Sequence, residues 1–201
     1  MDAVDREFAE RVFGTRLRAD AAAKAFEILR AADRLLRADP AATLEEIASA
    51  AGAARTTVYR RFPTRNDLLV ALSRWAVGRI ASALEDAQIG AVAPEEALHR
   101  ATRNAIEAKT GLAYARTLPP ADDPLVAESQ ARIRELAGRL VAECADAGVI
   151  DADADPEWVL AVFYALVHEA SVGPTADDAD ADALSRRVVD TLLRGVGPTA
   201  R

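Results

Sequence analysis

Four arginines, three threonines and one tyrosine fall between Arg55 and Arg65. Guanidinium forks pair bidentately with phosphate oxygens and with the outer edge of guanine. Threonine and tyrosine hydroxyls add further phosphate and base-edge contacts. From Ile47 to Asn66 the chain carries no acid, although its formal net charge over 201 residues is −7. Positive charge concentrated on one short segment of an acidic chain calls for an anionic partner.

The segment around these residues must present them on a helix. Ile47, Ala48 and Ala51 form the apolar side of one short helix. Gly52 supplies a turn, where a positive φ is easiest for glycine. Ala53 and Val58 return apolar contacts from a second helix. Two short helices about a Gly turn make a helix-turn-helix, whose second helix reads the major groove. Arg55 and Thr56 open that second helix and are expected to face base edges. Thr57, Tyr59, Arg60 and Arg61 are expected to hold phosphates. The partner this implies is double-stranded DNA.

The run I-A-x-A-A-G-x-x-x-x-T-V-Y-R-x-F-P-T-R-x-D-L-L, from Ile47 to Leu69, resembles the TetR/AcrR family of bacterial transcription regulators. Ala25 to Ala32, followed by Leu35-Leu36, is similar to that family's first helix. The resemblance implies DNA-backbone contacts from Thr64 and Arg65. It also implies a homodimer on a palindromic operator and release of the operator by a small-molecule effector, hence a repressor. The alternatives are a helical small-molecule-binding protein or enzyme with a vestigial DNA head, or a transcriptional activator. The chain departs from the family pattern at two places. Ala54 stands where Ser or Thr often caps the recognition helix, which removes a cap of roughly 1 kcal/mol. Arg61 stands where an aromatic residue or His is common.

Other chemistry finds little support. Glu96-x-x-His99 has the spacing of half a carboxylate-bridged di-iron site, but Ala165 occupies the matching position before His168, the second of two histidines. Two histidines and the lone Cys144 leave no zinc cluster. No Gly-rich phosphate loop or nucleophile elbow is present. The expectation is a non-enzyme without metal or cofactor. A lone cysteine suits a reducing compartment, residues 1–14 show no secretory h-region, and the longest apolar run, Trp158 to Val167, is too short to span a bilayer. These point to the cytoplasm and to no membrane partner.

Composition and periodicity place the elements. Alanine is close to a quarter of the chain, and no alternating β pattern stands out, so an all-α fold is expected. We expect an N-terminal extension over 1–19, a three-helix DNA-binding head over 20–66 and a ligand-binding and dimerisation bundle over 67–201. In the extension Phe8, Val12 and Phe13 suit a short amphipathic helix, yet the default for such an arm is a frayed, solvated tail. Helices are expected over 20–37, from Thr43 with Glu46 in a capping box, over 65–86 capped by Thr64, and over 94–109, 112–117 and 125–147. Two more are expected, from Asp155-Pro156 to about Gly173 and, after an acidic loop over 177–182, up to Gly195. An apolar pocket is expected to be lined by Trp75, His99, Arg103, Tyr114, Trp158 and Phe163. Trp158 to Val167 is apolar on every side and must be covered on every side. With the stripe of the last helix it suggests a four-helix subunit interface through Val162, Leu166, Leu184, Val188 and Leu192.

Overall fold

The computed structural model describes residues 3–110, 112, 114, 115, 118, 122–172 and 180–196. The helix expected over 112–117, the acidic loop over 177–182 and the end expected near Gly173 fall wholly or partly outside them. Nine helices and no strand occur among the described residues: α1 (Ala3–Phe13), α2 (Ala19–Ala38), α3 (Leu44–Ala50), α4 (Arg55–Arg61), α5 (Arg65–Glu85), α6 (Pro94–Thr110), α7 (Pro124–Asp146), α8 (Pro156–Val172) and α9 (Ala181–Val196). The fold is all-α, as composition and periodicity indicate. No helix among the described residues is long and apolar enough to cross a membrane.

The chain divides into two compact units: Met1–Gly78 with Leu112–Ser129, and Arg79–Gly111 with Gln130–Arg201. In the first, α2 presents Ile28, Leu29, Ala32 and Leu36 to a core completed by Ile47, Val58, Phe62, Leu68 and Leu72. Asp33, also on α2, is buried, and its carboxylate accepts the backbone N–H groups of Tyr114 (2.9 Å) and Ala115 (2.7 Å). Those bonds fix the short segment whose Leu112 and Ala115 join the same core. Arg74 meets Asp123 through two bonds of 2.8 and 2.5 Å.

The Arg74 guanidinium is the largest influence holding the Asp123 carboxyl below its usual pKa. A depressed folded-state pKa stabilises the protein fully above the unfolded value of about 3.9 and loses that contribution as pH falls through the lower folded value. Asp123→Asn should therefore cost roughly 1–3 kcal/mol at pH 7 and flatten the decline in stability below about pH 4. Urea titrations at pH 7 and pH 3 check this; equal losses at both pH values would contradict it.

The N-terminal extension is not a frayed tail. Helix α1 buries Ala9 and Val12, at 2% and 0% exposure. Phe8 stacks on Phe26 at 5.7 Å, and Phe13 lies 4.9 Å from the same ring. Its apolar face finds an aromatic partner on α2, which the local charge pattern of the arm does not reveal.

In the second unit α6, α8 and α9 pack on one another around Leu98, Ile106, Leu140, Val159, Phe163 and Leu184. Asp155 caps α8 by accepting the Glu157 N–H at 3.0 Å, with Pro156 at the first helical position. Cys144 is wholly buried, and burial pushes its thiol up to about 11, so it behaves as a small hydrophobe.

Three of the five residues expected at a subunit interface are buried within this unit. Leu184, Val188 and Leu192 are 4%, 5% and 1% exposed within the unit's own core, and Val162 and Leu166 pack partly buried against it. Periodicity identifies a face that must be covered; it does not say by what. Among the described residues α8 also leaves Trp158 and Tyr164 at 64% and 37% exposure, with Ala161 and Ala165 exposed beside them.

Candidate nucleic-acid interface

Two capping boxes frame the basic helix. At α3, the Glu46 N–H reaches Thr43 Oγ1 (3.3 Å) and the Thr43 N–H reaches the Glu46 carboxylate (2.7 Å). At α5, the Asp67 N–H reaches Thr64 Oγ1 (3.1 Å) and the Thr64 N–H reaches the Asp67 carboxylate (2.9 Å). Both satisfy N–H groups that a helix start leaves orphaned. Between them Gly52 turns the chain at φ +56°. The Ala53 N–H bonds the Ala48 carbonyl at 2.9 Å and closes the turn. Lys24 of α2 donates to the Ala51 and Gly52 carbonyls at 3.4 and 3.5 Å, a cation at the C-terminal end of α3.

A Cβ built at Gly52 meets nothing within 4 Å. The cost of Gly52→Ala is therefore backbone strain alone, about 1–2 kcal/mol for an L-residue held left-handed. A thermal melt should show that loss with native helicity retained; an unchanged midpoint would contradict it.

Helix α4 is anchored by Val58 and by Phe62, which follows it; both are buried. Ala54 precedes it with no side-chain cap, as the departure from Ser or Thr implies. Arg55, Thr56, Tyr59 and Arg60 are exposed, and Thr57 and Arg61 are half-buried. The exposed set forms one surface of guanidiniums and hydroxyls on a helix seven residues long.

Several of these groups are already engaged. The Tyr59 hydroxyl donates to the Glu45 carboxylate on α3. That bond is the main cause lowering the Glu45 carboxyl and raising the Tyr59 phenol. A stretch free of acid in sequence thus has Glu45 beside its exposed tyrosine in space. Thr64 serves as the cap of α5, and Arg65 donates to the Pro40 carbonyl, tying down the α2–α3 link. Arg61 lies over the Phe13 ring, 5.6 Å from its centroid. Burial is the main cause lowering its pKa, with Arg60 adding a smaller like-charge effect.

Of the six residues expected to line one pocket, each is described within its own unit. Trp75 is a core residue of the first unit, 4% exposed and 6.5 Å from Phe26. Tyr114 packs half-buried in that unit. In the second unit Phe163 is in the core and Trp158 is exposed. His99 and Arg103 share a cavity of about 300 Å³ with Glu96, Arg100, Asp182, Ser185 and Arg186. Its lining is charged. Arg100 there is paired with Glu96 at 2.8 Å and Arg103 lies 3.6 Å from Asp182. No cluster suited to a metal ion occurs among the described residues.

Comparison with known proteins places this geometry. The profile described as bacterial regulatory proteins, tetR family, matches residues 28–72, the stretch from α2 to α5. The chain is 39% identical over 80 residues to the HTH-type transcriptional repressor LfrR of Mycolicibacterium smegmatis, a match covering 40% of this chain and 42% of that protein. The crystal structure of the TetR-like regulator LfrR from Mycobacterium smegmatis in complex with proflavine superposes with a TM-score of 0.67 at 26% identity. The match covers 88% of this chain and 99% of that one. A TetR transcriptional regulator from Streptomyces coelicolor is 30% identical, with a TM-score of 0.57 over 88% of this chain and 99% of that one. A basic helix on a capped helix-turn-helix, within an all-helical chain that spans these regulators end to end, leads to one assignment: the protein belongs to the TetR family of bacterial transcriptional regulators.

Proposed function

We propose that the protein is a sequence-specific DNA-binding repressor that releases its operator when a small amphipathic molecule binds. The observation that carries the reading is α4, which exposes Arg55, Thr56, Tyr59 and Arg60 on one helix. Arg55 and Thr56 at its start are the proposed base-reading pair. Thr57, Tyr59 and Arg60 are the proposed phosphate contacts, Tyr59 after exchanging Glu45 for a phosphate oxygen. The match to a repressor and to a proflavine-bound regulator supports both halves of the reading.

A two-fold operator needs two heads at fixed spacing, so we propose a homodimer. The exposed face of α8, with Trp158, Ala161, Tyr164 and Ala165, is the proposed contact between copies. Burying two such aromatics removes a large apolar area from water. For the effector, the His99–Arg103 cavity supports a ligand with a polar end. Its volume is at the lower limit for small-molecule sites.

The test is a mobility shift on DNA flanking the protein's own gene, paired with a reporter driven by that DNA. A shifted duplex and a reporter that rises when the protein is deleted support repression. A reporter that falls would make it an activator, and a protein that shifts no duplex would leave it a small-molecule binder with a vestigial head.

A further inference from the structure

We propose that α1 is a working part of the DNA-binding head, and that Phe13 holds Arg61 as a positioning residue for α4, removing it from the phosphate contacts. The proposal rests on the DNA-binding reading and changes the role of one of its arginines. Three observations carry it. Helix α1 is docked through buried Ala9 and Val12 and through the Phe8–Phe26–Phe13 ring cluster, which continues to Trp75 on α5. The Phe8 ring also lies 3.1 Å from where a Cβ on Gly78 would stand, so that end of the helix is closely seated. At the other end the Arg61 guanidinium sits over the Phe13 face at 5.6 Å.

A guanidinium over a ring and half-buried is poorly placed to reach a phosphate, because leaving the ring uncovers both groups. It is well placed to fix the last turn of α4. Val12 and Phe13 border a cavity of about 360 Å³ together with Arg61, Phe62 and Pro63. That cavity lies under the end of α4 and its link to α5, so a shortened Phe13 leaves Arg61 room to swing and the last turn room to fray. Arg61 stands where this family often has an aromatic residue or His. Here the aromatic partner comes from α1.

The experiment uses the full chain and a fluorescent duplex selected by the wild-type protein from random-sequence DNA. Affinity is measured by anisotropy across a salt series for Phe13→Leu, Arg61→Met and the double variant, with melting temperature as the folding control. The expected result is a loss of about tenfold for each single variant and no further loss for the double. The slope of log K against log salt should stay at the wild-type value for all three. A slope reduced by about 2 for Arg61→Met, one lost phosphate contact per subunit, with Phe13→Leu binding normally, would overturn the proposal. Additive losses would overturn it too. Arg61→Lys guards against a misfolded Met variant: a positioning role predicts a loss, because the compact ammonium covers the Phe13 ring less fully than the guanidinium, whereas a phosphate role predicts near-normal binding. If the wild type selects no duplex, the DNA reading falls and this proposal with it. If the wild type binds and every variant matches it, this proposal alone falls.

Discussion

Val188→Asp should prevent the second unit from folding cooperatively. Val188 is 5% exposed among Leu98, Leu184 and Leu192 in the core where α6, α8 and α9 meet. Val188 belongs to a cluster of buried apolar side chains. Burying an unpaired charge costs at least several kcal/mol, and the lost valine packing adds to it. Against a total stability of about 5–15 kcal/mol, the variant should show a broad, early melt or none. Trp158→Asp is the control, because Trp158 is 64% exposed. It should keep the single-chain fold and shift the proposed dimer towards monomer in analytical ultracentrifugation. A folded, monomeric Val188→Asp protein with wild-type stability would return that stripe to the subunit interface.

Arg55→Ala should remove most discrimination between operator and random DNA. Arg55 opens α4, is exposed and carries no acid on its own helix. A bidentate guanine contact contributes roughly 1–3 kcal/mol of discrimination, or about 10- to 100-fold. In a dimer the loss counts once per half-site. Random-sequence affinity should fall far less, because it depends on phosphate charge in general. Arg60→Ala should weaken both alike. Competition titration with specific and random duplexes separates the two outcomes, and undiminished discrimination by Arg55→Ala would assign base reading elsewhere, with Thr56 next in line.

The parts of the fold legible in sequence are those with local causes. The Thr43–Glu46 box and the Gly52 turn each involve residues within five positions, and both stand where spacing alone places them. Helix ends at Asp39-Pro40 and at Asp155-Pro156 follow from proline's missing N–H and fixed φ. What was not legible depends on partners far along the chain. Phe26 receives Phe8 and Phe13, and neither side's pattern names the other. Glu45 reaches Tyr59 fourteen residues away, which counting charges from Ile47 onward passes over. The stripe of α9 shows that one face is covered, yet core and interface share the same period. The lining around His99 is charged because surface arginines of α6 and α9 face each other there, a matter of helix pairing that composition does not carry.

If α4 is a recognition helix, a salt titration of DNA binding shows it most directly. The wild-type chain would be titrated against the duplex flanking its own gene and against a scrambled duplex, from low to physiological salt. Cationic phosphate contacts, Arg60 of each subunit among them, predict log K falling linearly with log salt by about 0.9 for each phosphate neutralised. The specific duplex should remain at least about a thousandfold tighter at physiological salt. Equal affinity for both duplexes, or binding that does not weaken as salt rises, would contradict the account.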